Sequence, residues 1–276
     1  MNNSALLITC FNRKEHTVRC LKKIYTIRQD FDIYLVDDNS TDGTSESISN
    51  NFPNVTIIQG NGNLFWNRGM HLAWQKAAEK DYDYYLWLND DVVIYEKCFE
   101  ELFSCVNLKE HRAIISGIIE TNEGDAVIYG GTDENKKLIN PNGKLNPITN
   151  MNGNIVLIPK YVFNILGNLD PVYHHDLGDV DYGLRARENN IGVYSTRIAV
   201  GSGQRDSFCR VRQINTSLKK RFQKLYSPLG AHPFILFYYH KKHKGLLSAI
   251  SFFLFLHFLN IIPDQINHFL FGNKYT

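Results

Sequence analysis

Acidic clusters placed after apolar runs carry the chemistry this sequence offers. Asn89-Asp90-Asp91 follows Tyr84-Tyr85-Leu86-Trp87-Leu88, which reads as a buried strand. Two adjacent carboxylates at a strand end repel one another unless a cation sits beside them. Oxygen donors suit hard cations such as Mg2+ or Mn2+, and these bridge diphosphate oxygens. The plainer alternative is a solvated turn. Asp37-Asp38-Asn39-Ser40 closes a second apolar run, Phe31 to Val36. A carboxylate there suits a base N–H or a ribose hydroxyl, or it caps the helix that follows. Two acids exceed what one cap requires. A third cluster, Asp176 to Asp181, reads by itself as the acidic start of a helix, with Arg185 spaced to pair with Asp181 four residues earlier.

The elements that must position these acids alternate in type. Strands are expected at Ala5 to Cys10, Phe31 to Val36, Val55 to Gln59 and Tyr84 to Leu88. Helices are expected between them, at Glu15 to Arg28, Thr41 to Asn50 (capped by Thr41 or Asp42) and Gly69 to Lys80. This alternation predicts an α/β layer with a largely parallel sheet. Ligands of open α/β sheets bind at the carboxyl ends of the strands, where the first two clusters fall. Further on, Ala113 to Ile119, Asn154 to Pro159 and Gly192 to Val200 read as strands and Asp181 to Asn189 as a helix. Gly124 to Asn150, rich in Gly, Asn and Pro, reads as a loop or hairpin excursion.

Leu6-Leu7-Ile8-Thr9-Cys10-Phe11-Asn12-Arg13, then Val36-Asp37-Asp38-Asn39-Ser40-Thr41-Asp42-Gly43-Thr44, then Asn89-Asp90-Asp91, resembles glycosyltransferase family 2 in residues and in spacing. The resemblance covers roughly residues 5 to 205. It implies a GT-A-like fold, a Rossmann-related and mostly parallel sheet flanked by helices. It further implies that Thr9 and Asn12 line a nucleotide pocket, that Asp38 contacts the base, and that Asp37 contacts the ribose or the neighbouring turn. Asp91 would be the principal ligand of Mn2+ or Mg2+, with Asp90 in a ribose or positioning role. Asp179 and Asp181 match the two aspartates of the family's Glu-Asp-x-Asp segment. Asp179 would then be the general base, a role that needs a carboxylate within hydrogen-bond reach of the acceptor hydroxyl.

The sequence departs from the family pattern in four places. Asn89 replaces the first acid of the metal motif, and Gly178 stands where Glu is usual. Gly201-Ser202-Gly203 occupies the place of a metal-binding His, so the metal shell would need water, diphosphate oxygens or His174 and His175. In the Gly60 to Gly69 segment, Phe65 and Trp66 replace small residues and suit either core packing or stacking on a sugar or base. Arg68 in the same segment is placed to meet a phosphate.

Composition fits a globular chain of 276 residues, 43% hydrophobic and 21% charged. A formal charge of +2 gives no reason to expect a nucleic-acid partner. Five cysteines without metal spacing indicate a reducing compartment. The first ten residues do not resemble a signal peptide. The composition changes near residue 205, which divides a GT-A-like domain, 1–205, from a helical C-terminal extension, 206–276. The extension is basic from Arg205 to Lys224, and basic again just before the apolar, aromatic stretch Leu246 to Ile262. A helix of that length spans ~25 Å, short of a ~30 Å hydrocarbon core. It suits the surface of an anionic membrane, a buried helix or an oligomer interface. The resemblance implies inverting transfer of a sugar from a nucleotide-sugar donor to a glycan or lipid-linked glycan acceptor, in bacterial surface polysaccharide or glycolipid assembly. The expected location is the cytoplasmic face of the membrane. Competing readings are a sugar-nucleotide pyrophosphorylase, whose Gly-rich basic loop is missing here, and a donor-binding or membrane-docking protein without catalysis.

Overall fold

The computed structural model describes residues 3–205 and 210–275; Asp206 and Cys209 lie outside the described residues. The chain forms two compact units, Met1–Pro171 with Gly178–Arg205, and Val172–Leu177 with Asp206–Thr276.

The first unit begins with β1 (Ser4–Cys10), α1 (Lys14–Ile27), β2 (Phe31–Asp37), α2 (Thr44–Asn51), β3 (Thr56–Gln59), α3 (Phe65–Ala77) and β4 (Tyr84–Leu88). It continues with β5 (Val93–Ile94), α4 (Cys98–Asn107), β6 (Ile114–Thr121), β7 (Val127–Tyr129), β8 (Gly131–Thr132), β9 (Asn150–Met151), β10 (Ile155–Pro159), α5 (Lys160–Leu166), α6 (Gly178–Glu188) and β11 (Val193–Gly203). Among the described residues the main sheet runs β3-β2-β1-β4-β10-β6-β11-β5, with β7 added on β6. The first four strands are parallel. β10 enters antiparallel to both β4 and β6, and beyond it the sheet is mixed. The Gly124 to Asn150 excursion contributes β7 and the small β8–β9 pair.

Side chains alternate across each strand, so the sheet builds two cores at once. Leu6 and Ile8 face α1 and α4 residues such as Leu21, Ile24, Phe99 and Leu102. Ala5 and Leu7 face the opposite layer, with Met70, Trp74 and Ala77 of α3 and Tyr182 of α6. Trp74 is the hub of that layer. Its ring lies 5.1–5.4 Å from those of Tyr85, Trp87, Phe163 and Tyr182.

Two boundaries differ from the expected ones for a physical reason. α2 starts at Thr44, and Asp42 accepts the Thr44 N–H at 3.1 Å. α3 starts at Phe65 rather than Gly69, because Asp38 accepts the N–H groups of Leu64 and Phe65 at 2.8 and 3.2 Å. A remote carboxylate thus satisfies the donors that a helix start leaves without partners.

The second unit contains α7 (Leu218–Leu225), α8 (Pro233–Lys244), α9 (Leu246–Ile261) and α10 (Asp264–Phe271). The carbonyls at the end of α9 are answered by arginines. Arg212 donates to the carbonyls of Leu259 and Ile262, Arg221 donates to that of Ile262, and both pair with Asp264.

Glu101 of α4 clamps β11 to the sheet. It is buried and accepts from the Arg197 backbone N–H at 2.8 Å and from the guanidinium at 2.7 and 3.1 Å. Burial pushes its carboxyl up, but the Arg197 hydrogen bonds outweigh that and hold it below the usual range. Glu101→Gln is expected to lower unfolding free energy by about 3 kcal/mol at neutral pH, the cost of breaking a buried pair. A lowered native pKa stabilises above the unfolded value and is lost as pH falls through the native one. Urea titrations at neutral and acid pH should therefore show the mutant's deficit shrinking in acid.

Candidate active site

The carboxyl ends of β1, β2 and β4 lie side by side, and each runs into a polar loop. Thr9 and Asn12 leave β1 beside the β2 loop. Thr9 is half-buried and packs against Gly69 of α3. Asn12 is a tie between loops: its N–H donates to Ser40 Oγ at 2.8 Å, and its Oδ1 accepts the Thr41 N–H at 2.7 Å. Asp37 is buried and holds its own loop through the Ser40 N–H and the Ser45 hydroxyl. Asp38 is 4% exposed, and both carboxylate oxygens accept backbone N–H groups, from Gly62, Leu64 and Phe65. The Asp38 carboxylate, expected to meet the base, braces the Gly60–Phe65 loop through these bonds. Asp37 likewise binds the turn that follows it.

The two acids after β4 are unlike each other. Asp90 is buried, accepts the Thr17 hydroxyl at 2.8 Å and lies 3.3 Å from Arg13. Burial raises its carboxyl above the ordinary value, against the pull of Arg13 and Thr17. Asp91 is open, with its side chain 45% exposed and Oδ2 3.1 Å from Arg13 Nη2. Arg13 is thus the counter-ion to both acids. The sequence pattern gave it no role, although it sits at the end of the Asn12-Arg13 turn that follows β1.

Asn89 explains its own departure from the family. Its Oδ1 accepts the Trp66 indole N–H at 2.6 Å, its Nδ2 donates to Asn154 Oδ1 at 2.7 Å, and its backbone N–H donates to the Asn154 carbonyl at 2.8 Å. An amide accepts and donates at once; an ionised carboxylate only accepts. Trp66 is accordingly packed and bonded, edge-on to Trp87 at 6.0 Å. Next to Asn154, the Gly153 N–H donates to Asp179 Oδ2 at 2.8 Å. A side chain at Gly153 would strike the Trp66 ring at 2.4 Å. Asp179 Oδ1 also accepts the Val180 N–H at 2.8 Å. A continuous bonded path therefore joins the loop that carries Asp91 to the carboxylate of Asp179. Neither Gly153 nor Asn154 was marked by the sequence pattern.

Gly178 departs from the family's Glu because Asn67 fills its space. A Cβ at Gly178 would lie 1.7 Å from Asn67 Oδ1, and Asn67 is fully buried and donates to the Asp170 carbonyl at 2.8 Å. Asp181 is buried and pairs with Arg185 at 2.9 Å, as its spacing implies. Arg185 also donates to the carbonyls of Leu166 and Asn168. Arg68 donates from Nε to the Pro171 carbonyl at 2.9 Å, which anchors the approach to α6.

A family model, Glycosyl transferase family 2, matches residues 5–163. The chain belongs to glycosyl transferase family 2. This is more than half of the chain, and it takes in β1, β2, the Asn89–Asp91 loop and Asn154. No curated protein sequence matches. Solved structures share the fold at low identity. A mannosyltransferase from Pyrobaculum calidifontis, in complex with GDP-Man and Mn2+, superposes with a TM-score of 0.57 at 12% identity, over 91% of this chain and 73% of that one. S. aureus TarS 1–349 gives 0.59 at 12% identity, over 99% and 75%. GalNAc-T7 with UDP, GalNAc and Mn2+ gives 0.62 at 14% identity, over 100% and 58%. The sheet flanked by helices is therefore the GT-A fold.

The donor set of this family member bears on a divalent metal. Among the described residues no three His, Cys, Asp or Glu side chains come together to hold an ion unaided. At Gly201-Ser202-Gly203, where relatives are expected to carry a His, β11 pairs with Val93 and Ile94 of β5. His174 and His175 belong to the second unit, where they line an apolar cavity of about 220 Å3 that also holds the Asp176–Arg210 ion pair. One exposed carboxylate at Asp91 fits a cation that arrives with substrate phosphates, because Mg2+-type ions are commonly held by one or two carboxylates plus phosphate and water.

Gly178→Ala tests the packing under Asp179. It is expected to cost about 1–3 kcal/mol of stability through overpacking against Asn67. Adding Asn67→Ala should give a double mutant less destabilised than the sum of the two single changes, because the residues are in contact. Denaturant unfolding of the four chains reads the coupling.

Proposed function

We propose that the protein transfers a sugar from a nucleoside-diphosphate sugar to an acceptor hydroxyl, with inversion at the anomeric carbon. The observation that carries this reading is the bonded path Asp91 loop–Asn89–Asn154–Gly153–Asp179. It puts an open acid and a second carboxylate on one rigid frame at the strand ends where α/β sheets bind ligands.

In this reaction Asp179 takes the proton of the acceptor hydroxyl as that oxygen attacks the anomeric carbon. The Gly153 and Val180 N–H groups hold its carboxylate in place. Asp91 would hold Mn2+ or Mg2+, which would supply Lewis-acid stabilisation of the leaving nucleoside diphosphate. Arg13 balances the charge of Asp90 and Asp91. Thr9, Asn12 and the loop that Asp38 braces form the floor for the nucleotide. The metal-bound nucleotide and nucleotide-sugar complexes of the structurally similar enzymes support this donor class. The acceptor is a glycan, free or lipid-linked, in surface polysaccharide or glycolipid assembly at the cytoplasmic face of a bacterial membrane.

A thermal-shift panel of UDP-, GDP-, TDP- and CMP-sugars, with and without Mn2+ or Mg2+, tests the donor reading. One nucleotide class should raise the melting temperature in the presence of metal, and Asp91→Ala should abolish that rise. No shift with any donor overturns it. Asp179→Asn should keep the shift and lose about 10²–10⁴-fold in kcat, the usual contribution of a general base. Full turnover in that variant removes Asp179 from the base role.

A further inference from the structure

Charge is segregated along this chain. Residues 206–276 hold ten Lys and Arg against two acids, and residues 1–205 hold twenty against twenty-six. In the second unit the two described acids are both engaged by arginines: Asp176 by Arg210, and Asp264 by Arg212 and Arg221. Lys219, Lys220, Lys241, Lys242, Lys244 and Lys274 are all exposed. The exposed lysines of the unit thus outnumber its described acids.

An apolar face accompanies this charge. α9 buries Ala249, Leu256, Leu259 and Asn260, and presents Leu247, Ile250, Leu254, Phe258 and Ile261 to solvent. The outward set recurs at three- and four-residue steps, which is one face of a helix. Leu247 is 82% exposed and Leu254 62%. α10 adds Ile266, Leu270 and Phe269, the last 85% exposed. An apolar helix face left in water is unfavourable and marks an interaction surface. The lysines at the end of α8 directly precede α9, with only Gly245 between. Among the described residues no helix is long and apolar enough to cross a membrane. At 16 residues, α9 spans about 24 Å.

We propose that the outward face of α9 and α10 docks on an anionic bilayer, with the helices lying in the interface and the lysines on lipid headgroups. Apolar side chains enter the headgroup–acyl boundary while the neighbouring cations gain from the negative surface potential. A purely apolar interface with a second copy would bring the same excess of lysines together on both sides. Charge therefore favours lipid over self-association.

The test is co-sedimentation of the full chain with vesicles of phosphatidylcholine alone and of phosphatidylcholine mixed with phosphatidylglycerol. Binding to the anionic vesicles should be at least about tenfold tighter and should weaken with added salt, because headgroup attraction is screened. Leu247→Ser/Leu254→Ser/Phe269→Ser and, separately, Lys219→Gln/Lys220→Gln/Lys241→Gln/Lys244→Gln should each reduce it about tenfold or more. Both sets replace exposed side chains, and unchanged circular dichroism and melting show that the variants are folded. Equal affinity for the two vesicle types, or none for either, overturns the proposal. So does a dimer in sedimentation equilibrium that the serine variant converts to monomer while vesicle binding stays unchanged.

Discussion

The hydrogen-bonded junction between the end of β4 and the start of β10 sets the geometry of everything around it. β10 is antiparallel to β4, so the turn that leads into β10 lies beside the loop that leaves β4. Asn89 and Asn154 close the gap with backbone and side-chain bonds, and Trp66 seals it from the α3 side. Gly153, one residue earlier, then has its N–H free to hold Asp179. A parallel strand in the place of β10 would send its leading turn to the opposite edge of the sheet, and Asp179 would lose this anchor.

Seen from that junction, two departures from the family pattern are a single packing solution. Asn89 needs an amide because it must accept from an indole and donate to an amide oxygen at the same time. Gly178 needs to be small because Asn67, on the turn of α3 that also bears Trp66, occupies the adjoining space. A carboxylate at position 89 would oppose the Asn154 Oδ1 that the amide now donates to, and a larger side chain at position 178 would collide with Asn67 of α3. The aromatic residues Phe65 and Trp66, unusual for the segment, belong to the same arrangement. Phe65 has φ +57, a conformation uncommon for a bulky residue, and it donates its N–H to Asp38.

Much of this was legible in the sequence. The alternation of apolar runs and amphipathic stretches located β1 to β4 and the three helices between them, and the strand-end rule pointed to the loops that matter. The Asp181–Arg185 pair followed from helical spacing alone. The periodicity of α4 is also present, in Phe99, Leu102, Cys105 and Val106, yet it marked no element, because a short helix between two irregular stretches carries little contrast. The antiparallel entry of β10 was not legible, since direction depends on which neighbours a strand finds and a buried apolar run looks the same either way. Nor was the use made of Asp38 as a brace for the Gly60–Phe65 loop. An acid at a strand end has the same sequence signature whether it faces a ligand or a loop backbone. Only the positions of Gly62, Leu64 and Phe65, more than twenty residues away, decide between them.

Arg13 shows why one acid of the pair stays available. Asp90 and Asp91 are adjacent, and burying one of them is costly unless a cation and a donor compensate. The Thr17 hydroxyl and one arm of Arg13 do this for Asp90. The other arm reaches Asp91 through a single oxygen, at a side chain that remains nearly half exposed. The guanidinium thereby relieves the repulsion within the pair while Asp91 stays accessible from solvent. Under the proposed reaction this division has a consequence. A diphosphate and its cation arriving beside Asp91 meet this same guanidinium, whereas the Thr17 hydroxyl bond to Asp90 is independent of it.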